Sequence, residues 1–379
     1  MKRKKVFLII LAVCITYLQS CKNISDEGYT SGDLKGEEYQ EGYDYQKYFT
    51  STKICKSDQG YYFFRTSYLF FFDETSGKTV KVCGLPDCNH NDSSCNAYFD
   101  PMLFNTVSIW FYNNQLYIEG AEEKNSKLHY LYQLSQDGSK RKQICYLFKT
   151  EEDYVDFSLI IHRGFAYYCN YGKNDLTNES CTLYRVKLTE GSKPEEMHHY
   201  KGIGASIFRI RGYGNDIYFQ TGEYEDRQGN SYSSGFYRIN ISSKKVEAIA
   251  EDFWPNDYFV DGNYLYYFSK DNQLIRMDLN TKETVEIYQA VCRSYISNDG
   301  KYLYIDNGMD LLIHQKDLSS REICVLDMTG KQIDKIALPN VVECFFGDSK
   351  YLFAIFNNEM KAFDKTQIGE KTKEWLLLQ

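Results

Sequence analysis

The chain has 379 residues, with 44 Lys and Arg against 52 Asp and Glu, a formal charge of −8. Hydrophobic residues make up 43%, charged residues 25%, and only five are proline, a composition that excludes disorder, collagen and coiled coil. Aromatics reach 16%, with 35 Tyr and 24 Phe, which suits the half-buried surface of strands; the acidic balance argues against a nucleic-acid partner, since phosphate binding needs a basic stripe.

Residues 1–20 have the pattern of a secretory signal. Lys2-Arg3-Lys4-Lys5 is a positive start, Val6 to Leu18 is an apolar run, and Ser20 is small. The run is shorter than the roughly 20 residues that span a bilayer; an uncleaved signal anchor is the alternative. Leu18-Gln19-Ser20-Cys21 resembles the lipobox of bacterial lipoproteins, with Gln19 where the family usually has a small residue. The resemblance implies cleavage before Cys21, acyl chains such as palmitate on its sulfur, and a cell-membrane, extracytoplasmic location. Two or more chains give stable anchoring where one does not. Cleavage removes four basic residues and no acidic one, taking the charge from −8 to −12, so anionic lipid repels the body. Residues 21–47 follow as the lipidated cysteine and a Gly-, Ser-, Asp- and Glu-rich flexible linker.

Residues 48–379 repeat one motif seven times: a polar turn, an aliphatic residue, an aromatic, then another apolar residue. Its central aromatics are Tyr62, Tyr117, Tyr167, Tyr218, Tyr266, Tyr304 and Phe353. Each turn is flanked by strand-like runs, as in Ser108–Tyr112 and Leu116–Ile118. A further pair of strands follows, as in Leu183-Tyr184-Arg185-Val186, Phe236-Tyr237-Arg238-Ile239 and Leu274-Ile275-Arg276-Met277. Four short strands per unit of roughly 40–50 residues are the signature of a propeller blade. The expected fold is all-β, a seven-bladed β-propeller of four-stranded blades. Glu374–Leu377 supplies the last outer strand, and ring closure could draw on a strand near Tyr48–Cys55. Ser297-Asn298-Asp299-Gly300-Lys301-Tyr302-Leu303 resembles a TolB-like propeller turn, with Asn298 in place of proline. Asp73-Glu74-Thr75-Ser76-Gly77-Lys78 resembles the turn of quinoprotein-like blades. With three tryptophans in the chain, no tryptophan docking pattern accompanies it.

In such a ring, second-to-third strand loops and fourth-to-first connections share one face. The loops about Asn170–Ser180, Thr221–Ser234 and Asp306–Ser320, the Trp254-Pro255-Asn256-Asp257 link and the insertion at 83–101 all belong to these two classes, while the other turns read as tight. Long loops on a rigid scaffold are where binding concentrates. Tyr171, Tyr224, Tyr232, Trp254, Asn256 and Asp257 are the candidate binding residues, for a glycan or protein ligand.

Cys83-Gly84-Leu85-Pro86-Asp87-Cys88-Asn89-His90 and Cys95 bring three thiols and an imidazole within one short loop, a set that matches a closed structural zinc shell. Spaced two apart, Cys88 and His90 would point to one side of an extended backbone, and Pro86 fixes a turn that could bring Cys83 round. A disulfide between two of the cysteines, or free thiols, are the other readings. The segment resembles the P-D-C-x-H motif of uncharacterised propeller lipoproteins from anaerobic Firmicutes, a resemblance that implies no known activity. The remaining strand cysteines read as buried small hydrophobes. No nucleophile elbow, zinc-protease helix, phosphate loop or dinucleotide fingerprint is present, and the adjacent His198 and His199 would point to opposite faces. The reading is a membrane-anchored binding or scaffolding propeller; a hydrolase or lyase acting on an extracellular polysaccharide or peptide is the alternative.

Overall fold

A computed structural model describes residues 53–378, apart from 107, 151–155, 172–175, 178, 252, 254–256, 291–294, 307–321, 339–342, 346 and 357–358. The signal segment, Cys21 and the linker lie outside the described residues. Seven antiparallel sheets of four consecutive strands follow one another: Ile54–Lys81, Trp110–Lys149, Asp156–Lys201, Ile203–Glu251, Tyr258–Gln289, Tyr295–Ala337 and Glu343–Leu377, hereafter blades 1 to 7. The protein is a seven-bladed β-propeller. Ile54–Ser57 is the first strand of blade 1 and Trp375–Leu377 the fourth of blade 7, so no described strand is exchanged between the chain ends.

The repeated motif builds the second strand of each blade, and strand periodicity decides what each residue does. Successive side chains leave opposite faces. The central aromatic therefore turns toward the next blade and its neighbours toward the preceding one. Tyr62 joins the cluster between blades 1 and 2 with Leu116 and Ile118. Tyr117 packs with Leu159 and Ala166 of blade 3, and Tyr167 with Ile217 and Phe219 of blade 4. Tyr218 meets Leu265 of blade 5, Tyr266 meets Leu303 and Ile305 of blade 6, and Tyr304 meets Leu352 and Ala354 of blade 7. Phe353 closes the ring against Tyr61 and Phe63 of blade 1, with their ring centroids at 4.8 Å for Phe353 and Tyr61. All seven aromatics are 4% exposed or less. Closure is thus achieved by side-chain packing of the terminal blades.

The turns explain the two resemblances. Asp73 accepts the amides of Thr75 and Ser76 at 2.7 and 3.0 Å, and Gly77 at φ +66° completes the turn, a conformation that costs glycine least. Asp278 and Asp327 cap equivalent turns. In the first-to-second turns of blades 6 and 7, Asp299 and Asp348 each hold two turn amides through one carboxylate oxygen. The other oxygen does longer-range work. That of Asp299 takes the Tyr304 hydroxyl and the Lys365 ammonium, the latter at 3.0 Å from blade 7. That of Asp348 takes Tyr61 and Lys56 of blade 1, both at 2.6 Å. Two third-to-fourth connections depart from the expected tightness: 188–194 in blade 3, and the longer 365–374 segment in blade 7, which includes a short 3-10 turn.

Charged pairs join the outer strands to the following blade. Arg185 binds Glu195 at 2.7 Å, and Glu195 also pairs with Lys244 of blade 4. Arg238 binds Glu247, which pairs with Lys282 of blade 5 at 3.2 Å. Such partly exposed pairs contribute little each; aromatic burial, at about 1.5–3 kcal/mol per ring, carries the interfaces.

Replacing Tyr218 or Tyr266 with Ala should lower the unfolding free energy by about 3–5 kcal/mol, measured by urea denaturation; a loss within experimental error in both would contradict the packing account. Acid should also open the seams around blade 7. Burial alone would raise the Asp299 and Asp348 carboxyls, but the adjacent Lys365 and Lys56 charges, the tyrosine hydroxyls and the turn amides outweigh it and hold both below the usual range. Their contribution is therefore present above the unfolded value of about 3.9 and lost as pH falls through the lower folded value. Asp348→Asn should flatten the acid limb of stability against pH.

Candidate metal centre

The connection from blade 1 to blade 2 carries the cysteine–histidine cluster. Its descending half is held by Val82, whose amide donates to Leu69 at 3.0 Å. At Gly84 a Cβ would lie 2.8 Å from Cβ of Ser139, and at Gly138 one would lie 2.3 Å from the Val82 carbonyl. The backbone thus packs directly on the Ser135–Lys140 turn of blade 2. The cysteine-bearing part of the insertion therefore leans on a third-to-fourth turn at the outer rim of the seam, whereas the sequence reading placed the whole insertion on the long-loop face. Its ascending half adds bonds to blade 1, Leu69 to Ala97 and Phe99 to Ser67, both at 2.8 Å.

Cys83, Cys88, His90 and Cys95 bring their ligand atoms within 4.8 Å of one another. A tetrahedral zinc bound at about 2.3 Å separates its sulfurs by about 3.8 Å, so the cluster has the dimensions of a shell. His90 Nδ1 stands 3.4 Å from Cys95 Sγ. Each thiol also receives an amide from two residues further on: Cys88 from His90 at 3.4 Å, Cys83 from Leu85, and Cys95 from Ala97. At Cys83 and Cys95 that amide favours the anionic form of the sulfur. Cys83, Cys88 and Cys95 are all free thiols, so the disulfide reading finds no pairing here.

The electrostatics favour a cation. Burial would raise the Cys83 thiol, but the Leu85 and Asn96 amides and the neighbouring thiols bring it below its ordinary value. Cys95 is pushed up to about 11, first by burial and then by the crowding of Cys83 and Cys88, against the Ala97 amide. Three thiolates this close cannot all ionise cheaply; a divalent ion removes the penalty, which makes binding and deprotonation one event. Soft sulfur with one imidazole fits zinc.

The local backbone differs from the extended geometry expected for Cys88-Asn89-His90. Asp87 and His90 have φ of +60° and +56°, left-handed values rare for non-glycine residues. The loop curls, and the convergence comes from that curl. The surrounding support was not legible in the sequence: Lys81 donates to the His90 carbonyl and lies 3.9 Å from the Tyr68 ring centre. Arg141 of blade 2 donates to the Asn96 and Tyr98 carbonyls at 3.2 and 3.1 Å and stacks on Phe99. Arg141 lies far from the loop in sequence, and no local pattern marks it.

The candidate binding residues are less concentrated. Trp254 and Asn256 lie outside the described residues, as does the side chain of Tyr171. Asp257 is buried at 3% exposure against Arg211, at 2.5 Å, where it ties blade 5 to blade 4. Tyr224 and Tyr232 pack edge to face at 4.9 Å, half-buried at the mouth of the 225–231 loop. That loop meets its neighbour on blade 3: Arg227 binds Glu179 at 2.6 Å, and Gly229 lies against Leu176. His198 packs on Phe219 while His199 bonds Thr182 on the outer side.

No known protein family matches the chain, and no curated protein matches it in sequence. Solved structures do. A prolyl endopeptidase superposes with a TM-score of 0.56 at 12% identity, over 88% of this chain and 50% of that one, so this chain spans half its length. An oligogalacturonate lyase in complex with manganese gives 0.47 at 9% identity over 69% and 74% of the two chains. The oligogalacturonate lyase of Vibrio parahaemolyticus gives 0.48 at 8% identity over 69% and 75%. At 12% identity the likeness to the prolyl endopeptidase shows the propeller fold alone.

Anaerobically purified protein should carry near-stoichiometric zinc by elemental analysis, lost in His90→Ala. Metal-free wild-type protein showing fewer titratable thiols before reduction than after would establish a disulfide instead.

Proposed function

We propose that this chain is a lipid-anchored, extracytoplasmic β-propeller that binds or scaffolds a glycan, peptide or protein on its long-loop face, with a structural zinc in the Cys83–Cys95 loop. The observation that carries the binding reading is the asymmetry of the ring. The first-to-second turns of blades 1 to 5 each use two residues, such as 163–164 and 214–215, whereas the second and third strands of blades 3, 4 and 6 are separated by 8, 7 and 15 residues. Arg227 of the 225–231 loop binds Glu179 of blade 3, and the Tyr224–Tyr232 pair stands at the base of that loop. Exposed edges of tyrosine suit both sugar stacking and protein contacts. The zinc role is mechanical: it fixes a long connection lying across the seam between blades 1 and 2. The anchor rests on the lipobox-like segment ending at Cys21.

Two experiments test this. Cys21→Ala should release the protein to the medium or leave an uncleaved precursor; membrane retention of a correctly cleaved variant would sink the anchor. A glycan and peptide array probed with protein lacking its lipid should give hits that weaken when Tyr224 and Tyr232 are both changed to Ala.

A further inference from the structure

The seven blades are copies of one plan, so each position has internal controls. Consider the residue two places before the central aromatic of the second strand. It is Phe165 in blade 3, Tyr264 in blade 5, Tyr302 in blade 6 and Tyr351 in blade 7, but Gly60 in blade 1, Gln115 in blade 2 and Asp216 in blade 4; blades 3, 4 and 5 are the three with an arginine opposite the central aromatic on the third strand. In blades 3 and 5 that aromatic ring covers the arginine of the adjacent third strand: Arg185 lies 4.9 Å from the Phe165 ring centre, and Arg276 lies 4.9 Å from that of Tyr264. In blade 4 the small Asp216 stands 3.8 Å from Arg238 instead.

The arginines then differ in what they bridge. Arg185 sends one nitrogen to Glu195 and another across the seam to the Ile241 carbonyl at 2.7 Å. Arg238 commits two nitrogens to Glu247, at 3.0 and 2.7 Å, on its own blade. With no ring laid over it and its fork turned inward, the seam between blades 4 and 5 opens into a cavity of about 460 Å³ on the turn face, a size typical of small-molecule sites. A Cβ on Gly262 at its wall would meet nothing within 4 Å.

The lining identifies the ligand class. Asp216 and Glu247 are balanced by Arg238 and Lys245, and the exposed Asn263 and Asn280 add donors and acceptors, with Tyr213 as an aromatic wall; Asn240 is engaged by Asp216 and the 242–243 turn. A charge-balanced wall rich in paired donors and acceptors offers little to an apolar ligand and no excess charge to a strong anion. It matches a molecule whose hydroxyls both donate and accept. We infer that the blade 4–5 seam is a binding site for a neutral saccharide, separate from the long-loop face.

The test fills the site with the kind of ring that blades 3 and 5 carry there. Wild-type protein is titrated with cellobiose, maltotriose, lactose and mannobiose, and with glucuronic acid and glucose 6-phosphate as anionic controls, by saturation-transfer NMR and calorimetry. At least one neutral probe should bind, and Asp216→Tyr should abolish its binding while leaving the melting temperature unchanged or raised. Should that variant fold poorly, Asn263→Ala with Asn280→Ala, both exposed at the rim, should weaken binding by about tenfold, equivalent to about 1.4 kcal/mol. The inference is overturned if no neutral probe binds, if only the anionic controls bind, or if binding survives these changes. Binding that depends on Tyr224 and Tyr232 but not on Asp216 would support the loop-face reading and remove this one.

Discussion

The structure depends on one constraint: the second strand of every blade is buried on both sides. A strand in an antiparallel sheet usually offers one face to solvent. Here the faces of a blade are covered by its two neighbours, so each second strand must be apolar at successive positions. That is why Ile217-Tyr218-Phe219 and Leu265-Tyr266-Tyr267 read as continuous runs. The aromatic serves the next seam and its neighbours serve the preceding one. Because the rule holds for Phe353 against Tyr61 as well, it also closes the ring. Elsewhere in the chain the outer strands are more exposed, as at Val80, Val285, Ile333 and Leu376, since each has a blade on only part of its surface.

A ring assembled from similar seams tolerates local elaboration where two blades already hold each other. The blade 1–2 connection uses this latitude. Its loop has little apolar content of its own between Asp87 and Ser94, so burial alone cannot order it. Amide-to-sulfur bonds and the Lys81 and Arg141 contacts take the place of the missing core, and they hold the four candidate metal ligands together. Placing Gly84 and Gly138 at the contact lets two backbones approach to a distance that a side chain would prevent.

The same logic gives departures from the repeat their meaning. Of the three blades with an arginine opposite the central aromatic, two lay a ring over it, Phe165 and Tyr264, and the third has Asp216 there. Asp216 exchanges a ring over Arg238 for an open polar seam. Stability is then held by the remaining contacts of that interface, including Tyr218, Leu265 and Met277. The Asp257–Arg211 pair adds a buried charged tie between the same blades. A residue expected to face a ligand from its place in a link thus has a structural role.

By itself the sequence determined the fold class, the number of blades and the identity of the interface aromatics, because strand periodicity and burial are local properties repeated seven times. It also determined the candidate metal ligands, since all four fall within one short segment. The tertiary structure decided what depends on distant residues meeting. The ligands converge through a curl at Asp87 and His90, not through an extended Cys88–His90 spacing. The support from Arg141, the burial of Asp257 and the contact of the 225–231 loop with blade 3 are long-range consequences of blade order. The blade 4–5 cavity is legible only once Asp216 is seen beside Arg238, because an exposed turn aspartate and one that opens a seam are written with the same residue.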